Sequence, residues 1–126
     1  MRITPNGVPL LLAGEASDRA VLWFHGLGVD KETHVKELEQ VAALGFLAVG
    51  VDAAGHGARR APNLQQIIDA PQAETLRGMI DLVIQTAHDV SAVIDWLADE
   101  ELCDRDCVSL AGISMGAYVV YKALVI

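Results

Sequence analysis

The hydrophobic residues of this chain form three short continuous runs and one long helical stripe. The runs occupy residues 19–24, 46–51 and 107–112. Apolar runs of this length are typical of strands buried on both faces of a sheet. Between the second and third runs, apolar positions recur at steps of four and three over residues 72–100, which predicts a long amphipathic helix. The stripe consists of Leu76, Ile80, Val83, Ala87, Val90, Ile94 and Leu97.

Turn and capping residues separate these segments. Pro5-Asn6-Gly7 predicts a turn between two short strands within residues 1–14. Asp30 is suited to cap a helix and Gly45 to end it. We expect the apolar face of that helix to contain Val35, Leu38, Val41 and Ala42.

Similar signals surround the long helix. Asp69 and Pro71 predict its start, as cap and first-turn proline, while Gly78 predicts that its regular part begins later. After the third strand, an apolar helix is expected to run to Ile126.

The order of elements, β-α-β-α-β-α, predicts one α/β domain over residues 1–126. Its expected architecture is three-layer α/β/α with a mostly parallel sheet. Ligands bind such sheets at the carboxyl ends of the strands. We therefore expect residues 25–28, residues 52–57 and Ser114 to share one edge of the molecule.

Composition excludes several classes of partner. The 126 residues include 9 Lys and Arg against 17 Asp and Glu, a net charge of −8. This balance argues against binding to nucleic acids or anionic membranes. Hydrophobic residues make up 52%, which excludes disorder and is high for so small a domain. We expect neither a signal peptide nor a membrane span.

The two cysteines, Cys103 and Cys107, form no disulfide framework or zinc signature. We interpret them as free thiols, which favours a cytoplasmic protein.

The sharpest chemical signal is Gly112-Ile113-Ser114-Met115-Gly116, which has the pattern G-x-S-x-G. It lies between a predicted strand and a predicted helix, where this pattern exposes a nucleophilic serine. Gly112 and Gly116 are needed because side chains there would collide with the neighbouring strand or helix. The helix start offers the Met115 N–H to a developing oxyanion. The alternative is a tight turn whose serine only caps the helix.

A second glycine-rich turn, His25-Gly26-Leu27-Gly28, follows the first central strand. It can present the Leu27 N–H to the same place as the Met115 N–H, and two such donors would form an oxyanion hole. We expect His25 to orient this loop by hydrogen bonds. Phosphate binding is disfavoured, because the turn lacks the lysine of a P-loop and the spacing G-x-G-x-x-G.

Asp52 and His56 lie in the loop after the second central strand. An acid and a histidine near a serine allow the hypothesis of a catalytic triad, with His56 as the base. The alternative, which we favour for His56, is that both residues shape the loop by packing and hydrogen bonding.

With HGLG, VDAAGHG and GISMG in this order, the chain resembles the α/β-hydrolase superfamily, especially small bacterial esterases and serine-peptidase-like hydrolases. The resemblance covers nearly the whole chain, and GISMG is its most specific part. It implies that Ser114 is the nucleophile and that the Leu27 and Met115 amides form the oxyanion hole. It also implies hydrolysis of a small ester through an acyl-enzyme, without metal or organic cofactor.

The chain departs from the superfamily after the serine. There the acid and the base follow the nucleophile, but this sequence has no histidine after His88. The resemblance thus implies the N-terminal half of such a domain, truncated after the helix that follows Ser114. Residues 107–112 would then form an open parallel edge. We expect the chain to form a homo-oligomer or to associate with a missing C-terminal half.

Two functions remain open at this stage. The first is a carboxylesterase for short acyl esters, with a base supplied by His56 or by a second subunit. The second is a truncated or pseudoenzyme half-domain that oligomerises through its sheet edge and binds small apolar or acyl ligands without turnover. Replacement of Ser114 by alanine distinguishes them, because only the first loses activity.

Overall fold

The computed structural model describes all 126 residues and contains one five-stranded sheet, four α-helices and two 3₁₀ turns. The strands are β1 Arg2–Ile3, β2 Pro9–Ala13, β3 Ala20–Phe24, β4 Leu47–Val51 and β5 Val108–Gly112. The α-helices are α1 Val35–Ala43, α2 Leu64–Asp69, α3 Gln72–Asp99 and α4 Met115–Ala123. The 3₁₀ turns are Lys31–His34 and Gly57–Arg59.

The strand order is β1-β2-β4-β3-β5. The central part is parallel, since β3 lies between β4 and β5 and runs in their direction. The other two pairs, β1 with β2 and β2 with β4, are antiparallel. The apolar runs therefore form the parallel strands as predicted, and the turn at residues 5–7 joins β1 and β2.

Helices cover both faces of this sheet. On one face, Leu22 of β3 and Val49 of β4 share a buried cluster with Val90 of α3 and Val119 of α4. Alternate strand positions face α1, where a Cβ built on Gly50 would lie 3.0 Å from Cδ1 of Leu38. The three-layer α/β/α prediction is confirmed.

The segment before the long helix differs from the prediction. Asp69 ends a separate short helix, α2, which the sequence pattern did not reveal, and Pro71 is the N-cap of α3. The helix is regular through Gly78, so the expected late start is wrong. A Cβ on Gly78 would lie only 2.7 Å from Cγ2 of Ile67, so the glycine makes room for α2.

The first helical region begins as predicted at Asp30, whose carboxylate accepts the Glu32 N–H at 3.1 Å in a capping box. Gly45 follows α1 with a φ of 93°, a conformation that favours glycine. The predicted apolar face is only partly buried. Leu38 is fully buried, whereas Val35 is 40% exposed.

One side of the molecule is open. β5 pairs only with β3, so its other edge has no partner. In addition, α3 and α4 border an apolar groove of about 550 Å³. From Val83 onward the predicted stripe of α3 is buried except for the partly buried Ile94, but its first two positions, Leu76 and Ile80, are exposed at this groove. No helix combines the length and hydrophobicity of a membrane span.

Candidate active site

Three loops meet at one edge of the sheet, as expected for the carboxyl ends of parallel strands. Residues 25–28 follow β3, Asp52 follows β4 and Ser114 follows β5. A Cβ built on Gly26 would lie 3.6 Å from the Cβ of Ser114, so the first and third loops are adjacent.

Ser114 has a strained backbone. Its φ of 56° and ψ of −117° lie in a region that residues with side chains rarely adopt, at a cost of about 1–3 kcal/mol. The residue is exposed, and its hydroxyl makes no hydrogen bond within the chain. The serine therefore stands clear of the protein surface with an unengaged hydroxyl.

The glycines around Ser114 are required by close backbone contacts. A Cβ on Gly112 would overlap the carbonyl group of Gly116, and a Cβ on Gly116 would overlap the carbonyl oxygen of Phe24. Both overlaps join backbone atoms, which are unable to rotate away. The turn thus needs glycine at both positions for the reason inferred from the sequence.

Two amide N–H groups near this serine are free. Met115 is the first residue of α4, and its N–H therefore has no acceptor within the helix. The N–H of Leu27 also donates no hydrogen bond within the chain. Free amides at a helix start and beside it are suited to an anionic oxygen.

His25 joins the loops that follow β3 and β4. Its Nε2 accepts the Ala53 N–H at 3.0 Å, so the ring proton lies on Nδ1, which donates to the Gly26 carbonyl at 2.7 Å. Burial lowers the pKa of His25 below its ordinary value of 6.5. The neutral ring matches the orienting role expected from the sequence.

His56 has a similar arrangement. Its Nε2 accepts the Gly28 N–H at 2.9 Å, and its Nδ1 donates to the Ala54 carbonyl at 3.0 Å. The ring is fully buried, and this burial lowers the pKa of His56. Both nitrogens are engaged, so the ring has no lone pair left for the Ser114 proton. The structure speaks against His56 as the base.

Asp52 forms a buried ion pair with Lys31. The Lys31 ammonium donates to Oδ2 at 2.7 Å and the Lys31 amide to Oδ1 at 3.0 Å, while the Ala58 N–H donates to Oδ2 at 2.8 Å. Burial opposes both charges, but these bonds outweigh it. They hold the pKa of Asp52 below 3.8 and, with Glu32, raise the pKa of Lys31 above 10.5. Asp52 therefore braces the loops.

The other two histidines lie on different elements from the serine. His34 packs against Trp23, with ring centroids 5.5 Å apart, on the α1 side of the sheet. His88 is exposed on α3. None of the four histidines hydrogen-bonds to Ser114. No group of three or more His, Cys, Asp or Glu side chains is arranged to hold a metal ion.

Sequence reasoning missed Lys31, the partner of Asp52. One signal was present, because a lysine in the first turn of a helix is unfavourable against the helix dipole. Thr86 was also missed. Its hydroxyl accepts the Ala54 N–H at 2.9 Å and donates to the Leu82 carbonyl at 2.7 Å, which fixes the second loop to α3.

The parallel centre, the helices on both faces and the strained serine turn after β5 define the α/β-hydrolase fold, as the sequence motifs indicated. No family model matches the sequence, and no curated protein matches it. Solved structures do match. TT1662 from Thermus thermophilus is 26% identical, with a TM-score of 0.73 over 98% of this chain and 50% of that chain.

Esterases are among the matching structures. A cold-adapted esterase from an Arctic intertidal metagenomic library is 23% identical, with a TM-score of 0.64 over 92% of this chain and 49% of that one. Est2 from Thermogutta terrifontis, with propionate bound, is 18% identical, with a TM-score of 0.59 over 90% of this chain and 39% of its own. The present chain thus spans half or less of each of these solved structures, and at these identities the two esterases share its fold.

Proposed function

We propose that this chain carries the nucleophile and oxyanion-binding half of a serine hydrolase, a carboxylesterase for short acyl esters. The observation that carries the proposal is Ser114, an exposed serine held at a φ of 56° between two obligatory glycines. The esterases among the structural neighbours support it, and one of them, from Thermogutta terrifontis, has been solved phosphorylated by paraoxon.

The proposed reaction begins with attack of the Ser114 hydroxyl on the ester carbonyl. The carbonyl oxygen becomes an oxyanion, which accepts hydrogen bonds from the Leu27 and Met115 amides. Collapse of this intermediate expels the alcohol and leaves an acyl group on Ser114. Water then attacks the acyl-enzyme, the acid is released and the serine hydroxyl is restored.

Both attacks require a base to accept a proton. The rings of His25 and His56 are fully engaged by backbone groups, and His34 lies on the α1 side. We propose that the base comes from another polypeptide, either a second copy of this chain or a C-terminal half, which joins at the free edge of β5. A free parallel edge favours pairing with another strand.

The test is hydrolysis of p-nitrophenyl acetate and butyrate by the wild-type chain, Ser114→Ala and a matched control, Ser109→Ala. Ser109 is an exposed serine on β5, so its loss removes a hydroxyl without touching the site. We expect turnover to disappear in Ser114→Ala alone. Equal rates in all three proteins would contradict an esterase whose base comes from a second copy of the chain, and the C-terminal half would then be the proposed source of the base.

A second candidate function is binding of small apolar or acyl ligands without turnover. It is favoured by the groove between α3 and α4, in which eight of nine lining residues are hydrophobic. Binding of butyrate esters by Ser114→Ala with the same affinity as by wild type, without turnover in either, would support it. We place either function in the cytoplasm, since both cysteines are free thiols.

A further inference from the structure

The loop that carries Leu27 is anchored on both sides to the loop after β4. Before Leu27, His25 accepts the Ala53 N–H at 3.0 Å. After it, the Gly28 N–H donates to His56 at 2.9 Å. The bond to His25 is buried and the bond to His56 is part-buried, so both are shielded from water to different degrees. The position of Leu27 therefore depends on the second loop.

The peptide unit between Gly26 and Leu27 has a further restraint. Its carbonyl accepts the Nδ1 proton of His25 at 2.7 Å. The chain has no cis peptide bond, so the carbonyl and the N–H of this unit point in opposite directions. The bond to His25 thus directs the Leu27 N–H away from the His25 ring.

Lys31 and Asp52 anchor the far end of the same loop. Their side chains are 2% and 0% exposed, and Lys31 reaches Asp52 through both its amide and its ammonium. Loss of one partner from a buried ion pair leaves the other charge uncompensated, which is strongly unfavourable. Because Asp52 directly follows β4, the pair ties the Leu27 loop to a central strand.

We infer that Lys31 and Asp52 are positioning residues for the Leu27 amide, an inference that rests on the proposed function. The buried pair, with the His56 ring, holds residues 25–31 so that the Leu27 N–H stays beside Ser114. Neither residue touches the serine, and both act through the loop.

The test uses Lys31→Met, Lys31→Met/Asp52→Asn and a control, Arg105→Met, in the full chain. Arg105 pairs with Asp95 and Asp99 at the surface, so its loss removes charge pairing far from the site. The measurements are the backbone order parameter of Leu27, hydrogen exchange at the Gly28 amide, and the free energy of unfolding. The double variant has no uncompensated buried charge, so it remains informative if Lys31→Met fails to fold.

In the wild type and in Arg105→Met we expect a Leu27 order parameter of about 0.85. In both Lys31 variants we expect it to fall below about 0.6. Exchange at the Gly28 amide should accelerate in the same two proteins. A purely structural role predicts instead that the double variant regains stability and order together. Leu27 order equal to that of Arg105→Met in both variants would overturn the inference.

Turnover of p-nitrophenyl butyrate provides the second arm. Misplacement of one oxyanion donor should lower kcat by about 10²-fold in the double variant, with little change in KM. If the wild-type chain shows no Ser114-dependent turnover, an esterase formed by this chain and its copies is contradicted, and the Leu27 measurements still decide the inference. If turnover is present and kcat is unchanged in the double variant, the positioning role is wrong.

Discussion

The residues around Ser114 hold a strained backbone conformation that exposes the serine hydroxyl. The serine adopts a backbone conformation that is unfavourable for any side chain, and the chain tolerates it because β5, α4 and β3 meet there at backbone contact. The contact between Gly116 and the Phe24 carbonyl joins the serine turn directly to the strand that precedes the Leu27 loop. Strain and oxyanion geometry therefore depend on the same glycine.

Gly116→Ala should destabilise the fold by about 1–3 kcal/mol, because its Cβ overlaps the Phe24 carbonyl and the core has no space to relax. The free energy of unfolding in urea measures this destabilisation. Gly7→Ala is the control, since Gly7 has no atom near its Cβ position and only a φ of 84° to oppose alanine. It should cost about 1–2 kcal/mol from backbone conformation alone and leave the fold at Ser114 intact. Wild-type stability in Gly116→Ala would contradict the backbone contact.

The two buried histidines should make the protein less stable as the pH falls below 6.5. Burial lowers the pKa of His25 and His56 in the folded state, whereas in the unfolded chain they take up protons near 6.5. The unfolded state therefore binds more protons below that pH, and their stabilising contribution, complete above 6.5, is lost on acidification. The pKa of Asp52 is lowered in the folded state, so this residue adds a further loss of stability only when the pH falls below 3.8.

Urea unfolding at pH values between 8 and 5 measures this dependence. Replacement of the exposed His88 by glutamine should leave the slope unchanged. His56→Gln should reduce the slope, since one of the two buried rings is gone. Stability that stays constant over this range in the wild type would show that the two rings take up protons at the same pH in the folded and the unfolded state.

At the scale of elements, the hydrophobic pattern predicted the long buried strands and the long helix but not the short helix. The runs that form β3, β4 and β5 were found because parallel strands are buried on both faces. The helix α2 was missed because its six residues are too few to show a period. It is held by tertiary contacts, such as the Thr75 hydroxyl, which donates to the carbonyls of Ile67 at 2.8 Å and Ala70 at 3.0 Å.

Gly78 illustrates the same limit and yields a prediction. Alanine is favoured over glycine in a helix by about 1 kcal/mol. Here its Cβ would lie 2.7 Å from Ile67, so Gly78→Ala should instead be destabilising. In an Ile67→Ala background, where the obstructing branch is absent, the same substitution should stabilise. Thermal unfolding of the wild type, the two single variants and the double variant measures the change in stability in each background. A stabilising effect of Gly78→Ala in the wild-type background would show that α2 shifts to make room for the new methyl group.

At the scale of the whole molecule, the site could be located from sequence but not completed. Parallel topology was enough to bring Ser114 and the Leu27 loop to one edge. The roles of His56 and Lys31 depended on which polar groups meet in three dimensions, and sequence spacing carries no such information. Residues 52 and 31 lie 21 positions apart, and only the fold brings them together.

The open side of the molecule leads to the last prediction, which concerns association. The free edge of β5 has no partner, and the groove between α3 and α4 exposes Ile80, Tyr118 and Tyr121. An unpaired strand edge and a contiguous apolar surface each favour contact with another chain. We expect the wild-type chain to sediment as a dimer or larger species at micromolar concentration. Ile80→Glu/Tyr121→Glu should shift it toward monomer, whereas Val35→Glu, on the α1 side, should not.

If a second copy also supplies the base, specific esterase activity should rise with protein concentration in the wild type and lose that dependence in the double variant. A clean wild-type monomer would contradict self-association and leave a C-terminal half as the proposed occupant of this edge.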